Sequence, residues 1–264
     1  GTLKLMVTPL IQGFDAEPAR LVALEAVHNF RDLGGYATAD GRTTLWRKLF
    51  RADGLYRLTA ADVVALAPLG LRTVIDLRSA PELKERGRFP VDVHPVIYHH
   101  FPIIDATWSL ANDHPEYERD EDFLISAYQE MLTVGAPRFV MAFDALAQPD
   151  ALPAVFHCAA GKDRTGLLAA LLLGSLRVSL DDIVDDYALT VAGMERFRAW
   201  AAREWPEWFE RMATLPRAFT AALPEAMRHI LDELCARHGT IRSYVRSIGV
   251  SDQTLATLES ALLG

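Results

Sequence analysis

The ten residues His157 to Gly166, H-C-A-A-G-K-D-R-T-G, constrain this chain more than any other stretch. They lie between a short apolar run, Leu152 to Phe156, and an apolar helical pattern, Thr165 to Leu176. The pattern predicts a buried strand, a sharp turn and a helix. Elsewhere short strands alternate with helices before a helical C-terminal tail. The expected class is therefore α/β, with one mainly parallel sheet.

The turn has the composition of an anion cradle. Gly161 can adopt a left-handed backbone without a Cβ penalty. Successive amides then point inward as a nest, and the helix that follows aims its positive end at the same place. Arg164 offers a planar fork to two oxygens of a tetrahedral anion. Cys158 stands at the mouth, where positive potential favours the thiolate, the nucleophilic form. A nucleophile beneath a bound dianion implies attack on phosphorus and a phosphocysteine intermediate. Thr165 is placed to hydrogen-bond the sulfur as it leaves. Cys235 is an internal control: the sixth residue after it is Ile241, not Arg.

Other elements follow from local signals. Asp40-Gly41 between apolar-rich runs is a hairpin signal. Thr59 opens a helical pattern that ends near Gly70. Thr73 to Leu77 reads as a buried strand, and Ser79 with Glu82 as a capping box. Val96 to Ile104 reads as another strand, and Asp105 to Asp120 as a polar loop. Helices are expected over 121–133, 137–147, 180–205, 216–238, 240–248 and 251–263, with Gly239 and Gly249 at C-terminal caps. The 264 residues form one expected domain, with an N-terminal extension over 1–26.

Composition closes off other classes. Two cysteines exclude a disulfide scaffold and a four-cysteine zinc site. A net charge of −8 argues against nucleic-acid partners. The longest apolar run, Gly166 to Leu176, is too short to span a membrane. No signal peptide is evident, so the cytoplasm is expected, with signal-less export the alternative.

The loop resembles the signature of the cysteine-dependent protein tyrosine phosphatase superfamily. G-K-D-R-T-G with the upstream N-F-R-D-L-G-G (Asn29 to Gly35) is similar to the atypical bacterial tyrosine/serine phosphatases. The resemblance runs from about Val27 to Leu263. It takes in R-T-V-I-D-L-R-S (Arg72 to Ser79) and R-H-G-T-I-R-S-Y (Arg237 to Tyr244). It implies a three-layer fold with a central, mostly parallel sheet flanked by helices, and a helical lid-like insertion at about 180–225. It also implies Cys158 as nucleophile, Arg164 as phosphate ligand, amides of Ala159, Ala160, Gly161, Lys162, Asp163 and Arg164 as the cradle, His157 as support, and no cofactor or metal.

Two carboxylates compete for the general acid. Asp163 lies in the loop, and the resemblance makes its equivalent a proposed acid. Asp105 follows a strand, where dual-specificity relatives place theirs. Lys162 is either a solvated charge or a second cation for a further phosphate, as in phosphoinositide phosphatases. Asn29, Arg31 and Asp32 are expected to support the site, with Asp32 orienting Arg164 or a neighbouring amide. Asp76 and Arg78, at a strand end, are expected to face the same crevice.

Other features read as structural. Adjacent His99 and His100 on a strand face opposite sides, so with His94 they make no credible metal set. Cys235 belongs to an apolar pattern with Ile230, Leu231 and Leu234. The aromatic stretch Phe197, Trp200, Trp205, Trp208 and Phe209 is either a packed helix face or a lid over Cys158.

The leading expectation is a phosphomonoester hydrolase acting on phosphotyrosine, and also on phosphoserine or phosphothreonine, inhibited by phosphate or vanadate. A phosphoinositide phosphatase is the enzymatic rival. A phosphate-binding module without turnover would need no thiolate, and rhodanese-like chemistry would leave Asp163 and Thr165 without roles.

Overall fold

The structure, a computed structural model, describes residues 19–105 and 119–264. Residues 106–118 of the polar loop expected over 105–120, and residues 1–18 of the N-terminal extension, lie outside the described residues. Five strands form one sheet: β1 (Arg31–Asp32), β2 (Leu49–Ala52), β3 (Thr73–Asp76), β4 (Ile97–His100) and β5 (Ala154–His157). Their order is β1-β2-β5-β3-β4, parallel except for the β1–β2 pair. The helices are α1 (Ala60–Leu66), α2 (Ala80–Arg86), α3 (Asp120–Val134), α4 (Ala136–Leu146), α5 (Asp163–Ser175), α6 (Leu180–Ala188), α7 (Thr190–Glu204), α8 (Pro206–Ala213), α9 (Arg217–Thr220), α10 (Pro224–His238), α11 (Ile241–Ser247) and α12 (Asp252–Leu262).

Alternation along each strand divides the apolar residues between two layers. Leu49, Ile75, Ala154 and Phe156 face the larger cluster, which contains the buried residues of α3, α4, α5 and α10. Phe50, Ala52, Val74 and Val155 face a smaller one, closed by Leu55, Leu66 and Phe89. The sheet is thus covered on both faces, as a parallel sheet requires. Helix α5 is buried almost all round, which explains its nearly continuous apolar sequence.

The middle strand, β5, carries the signature loop at its carboxyl end. Its His157 is in register with Ala52 of β2 and Asp76 of β3. The chain crosses over β5 to pass from β2 to β3, then returns to it after β4. This leaves a crevice at the carboxyl ends of the parallel strands, where ligands of open α/β sheets bind.

Several expected boundaries shift. The strand expected over 96–104 is regular only at Ile97–His100, with single backbone bonds continuing from Phe101 N to Asp76 O (2.9 Å) and from Ile103 N to Leu77 O (3.4 Å). The long helix expected over 180–205 breaks into α6 and α7, and a further helix, α8, starts at Pro206 in a stretch where none was expected. That expected over 216–238 breaks before Pro224, where proline removes the backbone N–H a continuing helix needs. Helix α5 starts two residues early, so Asp163 and Arg164 lie in its first turn.

Candidate active site

The signature loop is held open by its carbonyls. Gly54 N donates to the Ala159 carbonyl at 3.0 Å. Asn29 Nδ2 donates to the carbonyls of Ala160 (3.3 Å) and Gly161 (3.1 Å). Arg51 Nη2 adds a second bond to Gly161 O at 2.8 Å. In a trans peptide the N–H points opposite to the C=O. Outward carbonyls at 159, 160 and 161 therefore turn the next three amides toward the interior of the loop. Gly161 is required twice over. Its φ is +66°, and a Cβ there would lie 2.6 Å from the Ala52 carbonyl oxygen.

A buried charge cluster stands behind these bonds. Asp186 of α6 accepts from Arg31 Nε (3.0 Å), Arg51 Nη1 (2.5 Å) and Tyr36 OH (3.0 Å). Arg31 also donates to Asn29 Oδ1, and Asn29 N donates to Asp53 at 2.8 Å. Two arms, Asp186–Arg51 and Asp186–Arg31–Asn29, thus converge on Gly161 O. Burial raises the Asp186 pKa, but Arg31 and Arg51 outweigh it and hold the carboxyl well below the usual range. Burial and the charge of Arg31 lower Arg51 to about 10, so it stays cationic at neutral pH. Two arginines against one aspartate leave a surplus positive charge behind the cradle, which a bound anion would use.

Arg164 is fixed by Glu82, at the first turn of α2. Its Nη1 and Nη2 donate to Glu82 Oε2 (2.5 Å) and Oε1 (3.0 Å). Glu82 Oε2 also accepts from Ser79 N at 2.8 Å and Ser79 Oγ at 2.9 Å, so the helix cap and the arginine clamp share one carboxylate. Burial raises the Glu82 pKa, but the Arg164 pair overrides it and brings it down to about 2. The pair's stabilisation is therefore complete above the ordinary glutamate range and is lost only as pH falls through about 2. Glu82→Gln keeps the shape but removes the charge. It is expected to lower kcat/KM by about 10- to 100-fold, judged from substitutions of comparable supporting partners, with vanadate inhibition weakened in parallel. Unchanged kinetics and vanadate inhibition would show that Arg164 needs no such clamp.

Above the loop lies a cavity of about 210 Å³. Ala159, Ala160, Asp163 and Arg164 contribute to its base, and Ile104, Met131, Met194, Phe197, Trp208 and Phe219 give apolar walls. Tyr56, Arg57 and Arg86 also line it. Burial raises the Tyr56 phenol, but Arg57 and Arg86, each donating to it at 3.2 Å, bring it below its ordinary value. Met194, Phe197 and Met212 of α7 and α8 form a small cluster against which Ala160, Trp200 and Trp208 pack. A Cβ on Gly193 would lie 2.7 Å from Asn29 Oδ1, so α7 sits directly on the support of the loop.

The structure places the expected residues unequally. Cys158 is buried at the start of the loop. The Thr165 hydroxyl is buried with no hydrogen-bond partner among the described residues, so its proton is uncommitted. Asp163 lines the cavity, with Oδ1 accepting from Tyr128 OH at 2.7 Å. Asp105 is exposed, and although its neighbour Ile104 lines the cavity, Asp105 does not. His157 is fully buried; its Nδ1 lies 3.2 Å from Cys158 O, and burial lowers its pKa, which keeps the ring neutral.

Four expectations change. Lys162 offers no ammonium to the cavity: its Nζ is buried and donates to the carbonyls of Ala218 and Ala221. Asp32 does not orient Arg164; it accepts from the amides of Gly34 (2.8 Å) and Arg47 (2.7 Å) and so closes a neighbouring turn. Asp76 and Arg78 pair with each other at 2.5 Å, and Tyr98 OH donates to Asp76 at 2.7 Å, so both are committed within the protein rather than presented to the cavity. Cys235 is only partly buried, though it packs against the main core.

The sequence motifs do not mark Arg51, Asp53, Glu82, Tyr128 or Asp186 as site residues. Two carried a signal: Arg51 is a charge inside an apolar strand run, and Glu82 marks a helix cap.

Comparison with known proteins places the chain among phosphatases. The family model described as "Tyrosine phosphatase family" matches residues 22–264. The triple specificity protein phosphatase PtpB of Mycobacterium tuberculosis is 29% identical over 280 residues, covering 91% of this chain and 98% of that protein. A tyrosine-protein phosphatase of Nostoc commune is 30% identical, covering 80% and 73%. A Cupriavidus necator protein, provisionally named a tyrosine-protein phosphatase, is 33% identical over 170 residues; there the match takes in 63% of this chain and 61% of the relative. The Siw14 catalytic core aligns with a TM-score of 0.38 at 13% identity, covering 73% of this chain and 94% of that one.

Proposed function

The chain belongs to the tyrosine phosphatase family, and we propose that it hydrolyses phosphotyrosine, and phosphoserine or phosphothreonine more slowly, through a phosphocysteine intermediate. One observation carries this reading. Cys158 opens an amide cradle next to a clamped Arg164, under a cavity whose apolar walls suit an aryl group.

In this mechanism the amides and Arg164 hold the three non-bridging phosphate oxygens. Cys158 Sγ attacks phosphorus in line with the leaving oxygen, and the P–O bond breaks as the P–S bond forms. Asp163 delivers a proton to the departing oxygen. Asp163 then takes a proton from water, which attacks phosphorus and breaks the P–S bond. The Thr165 hydroxyl donates to the departing thiolate. Helices α7 and α8 act as a lid, which keeps water and oxidants from Cys158 between turnovers. Phosphate and vanadate, which fill the same cradle, inhibit. The buried Nζ of Lys162 removes that side chain as an argument for the phosphoinositide alternative, which the inositol-lipid assay below tests directly.

Asp163→Asn and Asp105→Asn, assayed on phosphotyrosine peptide, inositol lipid and an activated aryl phosphate, test the reading. Asp163→Asn is expected to lose about 10²- to 10³-fold on the peptide and under about tenfold on the activated ester, which needs little protonation. Asp105→Asn is expected to stay near the parent. Equal losses on both esters for Asp163→Asn would remove it as the acid, and faster turnover of inositol lipid than peptide by the parent enzyme would reverse the substrate assignment.

A further inference from the structure

We infer that Tyr128 is a positioning residue that keeps the acidic proton of Asp163 on Oδ2, the oxygen free to face the substrate. The inference rests on the reading of Asp163 as the general acid.

Asp163 Oδ1 lies between two donors. Tyr128 OH donates to it at 2.7 Å, and Lys162 Nζ stands 3.6 Å away. The ammonium is itself committed to the carbonyls of Ala218 and Ala221, so it cannot leave. A proton on Oδ1 would face an ammonium and a hydroxyl hydrogen at once. On Oδ2 it meets neither.

The Tyr128 hydroxyl has one proton to give. Tyr187 OH lies 2.6 Å from it. While Tyr128 donates to Asp163, the bond between the phenols must be donated by Tyr187. The Tyr187 hydroxyl has no acceptor other than the Tyr128 oxygen among the described residues. Reversing the chain would leave the buried Tyr187 proton without an acceptor, a penalised arrangement. Tyr187, Tyr128 and Asp163 thus form a chain that donates in one direction. Tyr128 is fully buried, and burial together with Asp163 raises its pKa far above the ordinary value, so it remains a donor at any working pH.

Neither tyrosine lines the cavity. Their effect on the reaction must pass through Asp163, and this gives the test a shape that general destabilisation lacks. In Tyr128→Phe, kcat on phosphotyrosine peptide is expected to fall roughly tenfold or more, as a displaced catalytic group allows. Turnover of an activated aryl phosphate should stay within about threefold, because that ester needs little protonation. In an Asp163→Asn background, Tyr128→Phe should add no further leaving-group dependence, since coupled residues are not additive. Tyr187→Phe, which removes the donor that orders Tyr128, should show the same selectivity at smaller amplitude, and it stands in if Tyr128→Phe fails to fold. If Asp163→Asn shows leaving-group dependence and neither tyrosine variant does, the positioning role is wrong while the acid assignment stands. If Asp163→Asn shows none, the acid assignment fails and the positioning role with it.

Discussion

Cys158→Ser is expected to remove turnover by at least about 10⁴-fold while phosphopeptide binding stays within a few-fold of the parent. The two halves have separate physical origins. Turnover needs a strong nucleophile, and a serine hydroxyl without an adjacent base is not one. Losing such a group typically costs about 10⁴- to 10⁶-fold. Binding depends on amides whose direction is set elsewhere, by Gly54 on Ala159 O, Asn29 on Ala160 O and Gly161 O, and Arg51 on Gly161 O. None of these bonds involves the sulfur. Steady-state hydrolysis of para-nitrophenyl phosphate and calorimetric titration with a phosphopeptide measure the two halves. Residual turnover above about one hundredth of the parent would mean that Cys158 is not the nucleophile. Loss of binding would mean that the cradle depends on the sulfur.

Asp186→Ala is expected to lower global stability by about 3–5 kcal/mol, the usual result of removing one partner from a buried ion pair. Asp186 is the only carboxylate among the described residues that pairs with Arg31 or Arg51, and both guanidinium groups are buried. Removing it leaves two like charges facing each other in a dry interior. The loss is a large part of the stability of an ordinary domain. The cradle should fail with it, because both arms that hold Gly161 O begin at this carboxylate. Urea unfolding measures the stability, and vanadate inhibition of the remaining activity measures the cradle. Asp186→Asn keeps the hydrogen bonds but not the charge and should lie between Asp186→Ala and the parent. An unchanged unfolding midpoint in Asp186→Ala would show that Arg31 and Arg51 find other compensation.

The sequence was most readable where chemistry is local. The strand–loop–helix setting of Cys158, the left-handed Gly161, the cap at Ser79 and Glu82, and the glycine stops at 239 and 249 each follow from a few adjacent residues, and each is present. Reading failed where a side chain had a choice of partners far along the chain. Lys162 reads as a phosphate ligand from its place in a loop expected to bind phosphate. Its stem instead runs inward to carbonyls 56 and 59 positions away. Asp32 and Asp76 looked like site carboxylates from their motifs, yet both are claimed by nearby backbone or arginine donors.

Glu82 shows the same limit from the other side. Its capping role is written in four residues, but its clamp on Arg164 spans 82 positions. Asp186 and Tyr128 carry no local mark, since an aspartate in an amphipathic helix and a tyrosine in an apolar face are ordinary. By itself the sequence determined the strand–loop–helix setting of Cys158, the left-handed turn at Gly161 and the α/β frame, because steric limits on the backbone and the periodicity of burial act over a few residues. Only the tertiary structure decided which charges face the cavity and which brace it. That choice depends on which opposite charges the fold buries together, and no window along the chain contains that information.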